Sequence, residues 1–157
     1  MAIAMTLKEY LNRLGVEYEV VPHTHTDTSM RSAQEAHIPG DQLAKSVILE
    51  DDGGYLMAVL PATHKLEIGR LQKQLSRHHL GLATEQELSG LFDDCELGAI
   101  PPLGEAYGVD VVVDDSLDEV SDVYFEAGDH TDLVHISGED FHDLMVDADH
   151  GRFSHHI

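Results

Sequence analysis

The chain has 157 residues, one cysteine and a formal net charge of −21, from 9 basic and 30 acidic side chains. A hydrophobic share of 42% excludes a disordered polyanion, and no apolar run reaches the roughly 20 residues of a membrane span. A lone cysteine excludes an internal disulfide or a cysteine-based zinc site, and the N-terminus lacks the basic-then-apolar order of a signal peptide, so a soluble, cytoplasmic, globular protein is expected.

The charge is uneven. Residues 1–80 hold 8 basic and 10 acidic side chains, whereas residues 81–157 hold Arg152 alone against 20 acidic ones. The second half should repel a polyanion, so an anionic partner is expected to dock on the first half.

In chain order, Thr6 with Glu9 predicts a capping box for a helix that carries Leu7, Leu11 and Leu14 and stops at Gly15. Alternation over 16–21 predicts a strand ended by Pro22, and residues 29–36 a short helix before Pro39-Gly40. Apolar runs at 46–49 and 55–60 around Asp52-Gly53-Gly54 predict a hairpin. The most regular helical pattern spans 65–79: Ile68, Leu71, Leu75 and His79 share one face, and Arg70, Lys73 and Arg77 nearly the opposite one. Thr84 with Glu87 predicts a capped helix to about Leu91. Residues 95–108 hold so many Gly and Pro that an ordered loop is expected. A strand at 109–113, a hairpin of 123–127 with 133–136, a helix capped by Ser137, and a polar His-rich tail complete the chain. Helices interspersed with hairpins predict an α+β fold.

Twelve histidines raise the question of a metal. His23 and His25 would face the same way on an extended segment, and His150, His155 and His156 crowd the C-terminus. No HExxH or clustered-Cys pattern accompanies them, so no metal site is expected. Cys95 sits beside Asp93, Asp94 and Glu96, which should raise its thiol pKa and leave it structural. Three other features stand out. Lys45 begins a strand among apolar neighbours. Gly98-Ala99-Ile100-Pro101-Pro102-Leu103-Gly104 forms a stiff loop whose glycines can aim N–H groups outward. His130 lies at a hairpin tip between Asp129 and Asp132. Each has an ordinary structural explanation when taken alone.

Together with Thr28 near His23, with Ala33, Ala36, Ile38 and Pro39, with Ala44-Lys45-Ser46-Val47-Ile48-Leu49 and with Val59-Leu60-Pro61-Ala62, they resemble the YbaK/ProX family. These are stand-alone relatives of the editing domain of bacterial prolyl-tRNA synthetase. The resemblance runs from about Val20 to Met145, and Gly98 and Pro102 fit the family's GxxxP loop. It implies a curved, mostly antiparallel sheet with helices packed around it, filling a single domain over 1–147 with a tail over 148–157. It also implies trans-editing: hydrolysis of the ester of a mischarged aminoacyl-tRNA bearing a small amino acid, with Ala or Cys on tRNA-Pro in view. The alternative of another class is a non-catalytic module of the same fold that binds tRNA or a synthetase. The resemblance assigns Lys45, Gly98, Pro102 and His130 to catalysis, and Ser46, Ala99, Ile100, Pro101 and Gly128 to substrate binding. Arg70, Lys73 and Arg77 are the expected tRNA contacts. The expected partners are the aminoacyl-tRNA acceptor end and a synthetase, with no cofactor and no membrane.

Overall fold

A computed structural model describes residues 3–24 and 28–157. Its helices are α1 (Met5–Leu14), α2 (Ser29–Glu35), α3 (Ile68–Leu75), α4 (Glu85–Leu91) and α5 (Gly138–Leu144). Its strands are β1 (Glu19–Pro22), β2 (Leu43–Asp51), β3 (Gly54–Pro61), β4 (His64–Leu66), β5 (Gly81–Leu82), β6 (Asp110–Asp114), β7 (Asp122–Glu126), β8 (Asp132–Ser137), β9 (Asp149–Gly151) and β10 (Ser154–His156). The main sheet runs β1-β8-β7-β2-β3-β6-β9, with β5 also paired to β2. It is mostly antiparallel; β2–β7, β3–β6 and β6–β9 are the parallel contacts. This is the α+β architecture expected.

The central strands are buried on both faces, so they read as continuous apolar runs. Met57 and Val59 of β3 join Val111 and Val113 of β6 against Leu7, Leu11, Phe92, Phe141 and Met145. Leu56, Ala58 and Val112 face the other way, onto Leu71, Leu80 and Phe153. The α4 capping box forms as expected, and Ser137 caps α5 by accepting from the Asp140 N–H.

Other elements differ from the sequence reading. The first helix begins two residues earlier than a Thr6 cap allows, with Ala4 at its N-cap and no side-chain cap. Tertiary partners replace the capping box: the Ala4 N–H donates to the Ala127 carbonyl at 2.8 Å and the Thr6 N–H to Asp94 Oδ2 at 2.9 Å. The first strand covers Glu19–Pro22 rather than 16–21, because only those residues meet β8. The helix expected over 65–79 is divided. His64–Leu66 pairs with β10, and the helix ends at Leu75 where Ser76 turns left-handed at φ 53° and the Arg77 N–H closes on the Gln72 carbonyl. Residues 148–157 are not a tail. They form β9 on β6 and β10 on β4, around a fully buried Phe153 whose N–H donates to Asp114 Oδ2 at 3.0 Å.

Gly128 shows how closely the chain passes near the N-terminus. Its φ is 102°, and a Cβ there would lie 2.9 Å from the Ala4 Cβ and 3.4 Å from Cys95 Sγ. Gly128→Ala is expected to lower stability by about 1–3 kcal/mol through backbone strain and overpacking. Urea denaturation checks this; an unshifted midpoint would show that the N-terminal segment yields freely.

Candidate active site

β2 is bordered by β3 along its length, but its other edge changes partner. β7 pairs with it at Leu43 and Ala44, and β5 at Leu49 and Glu50. Between them, among the described residues, no strand covers Lys45, Ser46, Val47 or Ile48. A cavity of about 250 Å³ opens at this gap. Ala44, Ile48, Leu82, Ala83, Leu88 and Ile100 supply its apolar wall, and Lys45, Ser46 and Glu126 its side-chain polarity.

Strand alternation separates the two expected residues of β2. The Ser46 hydroxyl donates to the Ile100 carbonyl at 2.9 Å, which pins the Gly/Pro loop against the strand. Lys45 leans to the other side and donates from Nζ to the carbonyls of His64 at 2.6 Å and Ala62 at 3.3 Å. Burial lowers the Lys45 pKa. The backbone parity matters as well. The Ala62 N–H bonds the Leu43 carbonyl on the β3 side, and the Ala83 N–H bonds the Ile48 carbonyl on the β5 side. In an antiparallel ladder these directions alternate residue by residue, so Ser46 turns its own N–H and C=O toward the uncovered edge and the cavity.

After Cys95 the chain runs without helix or strand to Leu103, as the sequence reading has it, but Gly104–Tyr107 then form a short 3-10 helix. Residues 99–104 are buried, while Gly98 is exposed with φ 83°. Gly98 and Ile100 line the cavity; Ala99, Pro101 and Pro102 are buried and do not line it. The Ala99 N–H is committed to the Glu96 carbonyl at 3.1 Å. His130 is neither a solvated turn residue nor a cavity-wall residue. It is 6% exposed, has φ 60°, and its Nε2 is hydrogen-bonded to the Leu97 carbonyl. The Glu96 N–H also donates to the Gly128 carbonyl at 2.7 Å. Gly128 and His130 therefore hold the start of the loop from behind. Cys95 is structural as read: burial, with Asp94 and Asp93 adding to it, pushes its thiol up to about 12.

The expected basic helix face is not assembled. Arg77 lies beyond α3 and grips Asp51, with Nε 2.8 Å from Oδ2 and Nη2 3.3 Å from Oδ1. Arg70 is exposed but paired to Glu67 at 3.0 Å, and Lys73 is exposed on the last turn. The early termination of the helix removes Arg77 from their face. The His23 side chain is fully buried, 3.9 Å from Glu126, and is not a surface ligand; His25 lies outside the described residues. Asp115, Asp118 and His150 can bring ligand atoms within 4.8 Å of one another, but none of them lines the cavity.

Glu126 is the cavity residue that the sequence reading passes over. It ends the apolar run Val123-Tyr124-Phe125, and an acidic side chain at the buried end of such a strand was the available signal.

A model of the aminoacyl-tRNA editing domain matches residues 23–144. The chain belongs to the aminoacyl-tRNA editing domain family. The match covers the stretch carrying the YbaK/ProX resemblance, including Lys45 and the Gly98–Pro102 loop. Solved structures share the fold of this editing domain at low identity. One is described as a candidate trans-editing enzyme for prolyl tRNA synthetase: 20% identical, TM-score 0.84, covering 97% of this chain and 96% of that one. Another is a scaffold from the computational design of grafted epitopes: 17% identical, TM-score 0.84, covering 98% and 97%. A third, a candidate signal transduction protein from Marinobacter aquaeolei VT8, is 23% identical with TM-score 0.80; the alignment covers 98% of this chain and 31% of that longer one. No curated protein matches the chain. An editing domain takes aminoacyl-tRNA as its substrate class, and no described helix is long and apolar enough to cross a membrane.

Proposed function

We propose that this editing domain hydrolyses, in trans, the ester bond of a mischarged aminoacyl-tRNA carrying a small amino acid, with Ala or Cys on tRNA-Pro as the leading substrates. The observation that carries this reading is the cavity of about 250 Å³ at the uncovered edge of β2, where Lys45 and Ser46 meet Gly98 and Ile100. It is smaller than the roughly 300–1,000 Å³ of sites for drug-sized ligands, which suits a small side chain. The relative described as a candidate trans-editing enzyme for prolyl tRNA synthetase supports the choice of tRNA.

An aminoacyl ester is already reactive, so orientation and a home for the developing oxyanion are the main needs. Lys45 spends two donors on the carbonyls of Ala62 and His64, which fixes its ammonium. Its remaining proton and its charge hold the terminal phosphate or the ester oxygen. The Ser46 N–H, turned to the open edge, is a backbone donor for the oxyanion, and Gly98 and Ile100 close the other wall. Pro101, Pro102 and Ala99 stiffen that wall, while His130 and Gly128 act through the loop rather than on the substrate. Water is the nucleophile, activated by the ribose hydroxyl of the substrate. Editing of this kind is needed because binding separates small apolar side chains by only about 1–3 kcal/mol.

The test is a deacylation screen over a panel of mischarged tRNAs at low salt, with a chelator present. Turnover of Ala-tRNA-Pro or Cys-tRNA-Pro is the expected result. Turnover of none overturns the proposal, and tight binding without turnover would favour the non-catalytic module. With Arg77 engaged by Asp51, the RNA contacts left on α3 are Arg70 and Lys73. Replacing both with Gln is expected to flatten the log–log salt dependence of kcat/KM by no more than about 2, near 0.9 per phosphate lost. Unchanged second-order rate constants at every salt concentration would mean that this face does not meet RNA.

A further inference from the structure

Among the described residues, Lys45 and Glu126 are the charged side chains in the cavity wall, and they carry opposite signs. The mechanism above uses the lysine and leaves the glutamate idle. The Glu126 side chain is 4% exposed. Its Oε1 accepts from the Ser32 hydroxyl at 2.5 Å. Its Oε2 lies 3.9 Å from His23 Nε2, beyond hydrogen-bond reach, and has no hydrogen-bond partner among the described residues. Burial pushes its carboxyl up to about 7; the Ser32 hydrogen bond opposes this and Asp129 adds to it. Among the described residues, the charged or titratable neighbours are His23 after β1, Asp129 in the β7–β8 turn and Lys45 across the cavity. A carboxylate held in such surroundings has one hydrogen bond, from Ser32, and an ion-pair distance to His23, but, among the described residues, no donor on Oε2, and an entering cation with N–H donors supplies one.

We infer that Glu126 is the seat of the substrate's α-ammonium group, so that the cavity orients an aminoacyl ester between an anionic end and a cationic end. The inference rests on the deacylase reading and names the recognition element of that same site. The ammonium is one carbon from the scissile carbonyl. Lys45 repels it and attracts phosphate or oxyanion, whereas Glu126 does the reverse. One acid and one base in a small apolar cavity therefore set the direction in which the ester enters. Substrates whose amine is blocked lose both the charge and the donors that this end recognises.

The experiment compares aminoacyl-tRNA with its N-acetyl form, for the wild type and for Glu126→Gln, a substitution that keeps the shape and the Ser32 contact. In wild type, N-acetylation is expected to lower kcat/KM about 10- to 100-fold, the value of one charge-assisted hydrogen bond. Glu126→Gln should lose a similar factor on the free amine and nothing on the acetylated substrate. Equal losses on both substrates, or none on either, would overturn the inference. If the wild type hydrolyses neither substrate, the deacylase reading fails by itself. Calorimetric binding of a non-hydrolysable 3′-aminoacylamido-adenosine and its N-acetyl form then decides the recognition role: amine-dependent binding abolished by Glu126→Gln supports it, and amine-independent binding or no binding overturns it. Thermal melting of the variant verifies its fold.

Discussion

Lys45→Ala is expected to slow deacylation at least ~100-fold, the scale of losing one preorganised polar contact to a transition state, about 2.7–4 kcal/mol. The geometry makes the loss specific. Carbonyls of Ala62 and His64 fix the ammonium at 3.3 and 2.6 Å, so no flexible surface lysine can stand in for it. Burial also lowers the Lys45 pKa, which keeps the group costly to charge without an anion nearby. The substitution frees two carbonyls, and the expected loss of stability is about 1 kcal/mol for each that water does not solvate. Single-turnover deacylation alongside thermal melting separates the two effects. Wild-type turnover by a folded Lys45→Ala protein would sink the assignment. Lys45→Arg is not a rescue, since a planar fork cannot reproduce the pair of carbonyl contacts of a compact ammonium.

Glu126→Gln should make the protein more stable at pH 8 than the wild type, with the gap closing toward pH 4.5. The carboxyl has its ordinary value of 4.5 when unfolded and is pushed to about 7 in the fold, chiefly by burial. Between those values the folded state binds more protons than the unfolded one, so stability falls as pH rises through that window and stays low above it. Across the whole window the loss is on the order of 3 kcal/mol. Glutamine carries no charge to bury and escapes the loss. Urea denaturation of both proteins at pH 5 and pH 8 reads the difference. An equal gap at the two pH values would mean that Glu126 does not titrate in this range.

Local sequence determined much of the architecture. The turn Asp52-Gly53-Gly54 with apolar runs on both sides dictates the β2–β3 hairpin, because turn chemistry and strand pattern act within a few residues of each other. The capping box of Thr84 and Glu87 and the cap at Ser137 are equally local. The family resemblance pointed to Lys45 and the Gly98–Pro102 loop, since a lysine strand and a GxxxP loop in order are specific together.

Tertiary pairing decided the rest. Residues 65 and 66 fall at the start of the predicted helix yet join His64 in a strand, because β10 offers them a ladder more than eighty residues away. Residues 148–157 look like a solvated tail, because edge strands bury little; their anchors, the buried Phe153 with its N–H on Asp114, the Ser154 hydroxyl on the same carboxylate and the Gln74 contacts to Arg152, all lie on partners remote in sequence. Arg77 leaves the helix face because Ser76 turns left-handed and Asp51 is waiting across the structure. The cavity itself is a property of sheet order. It exists because β7 pairs with one end of β2 and β5 with the other, leaving Ser46 uncovered, and no periodicity within β2 records which neighbours it will have. Glu126 enters the site for the same reason: its charge is plain in the sequence, but only the packing of His23, Ser32 and Asp129 around it turns that charge into a buried group at the cavity wall.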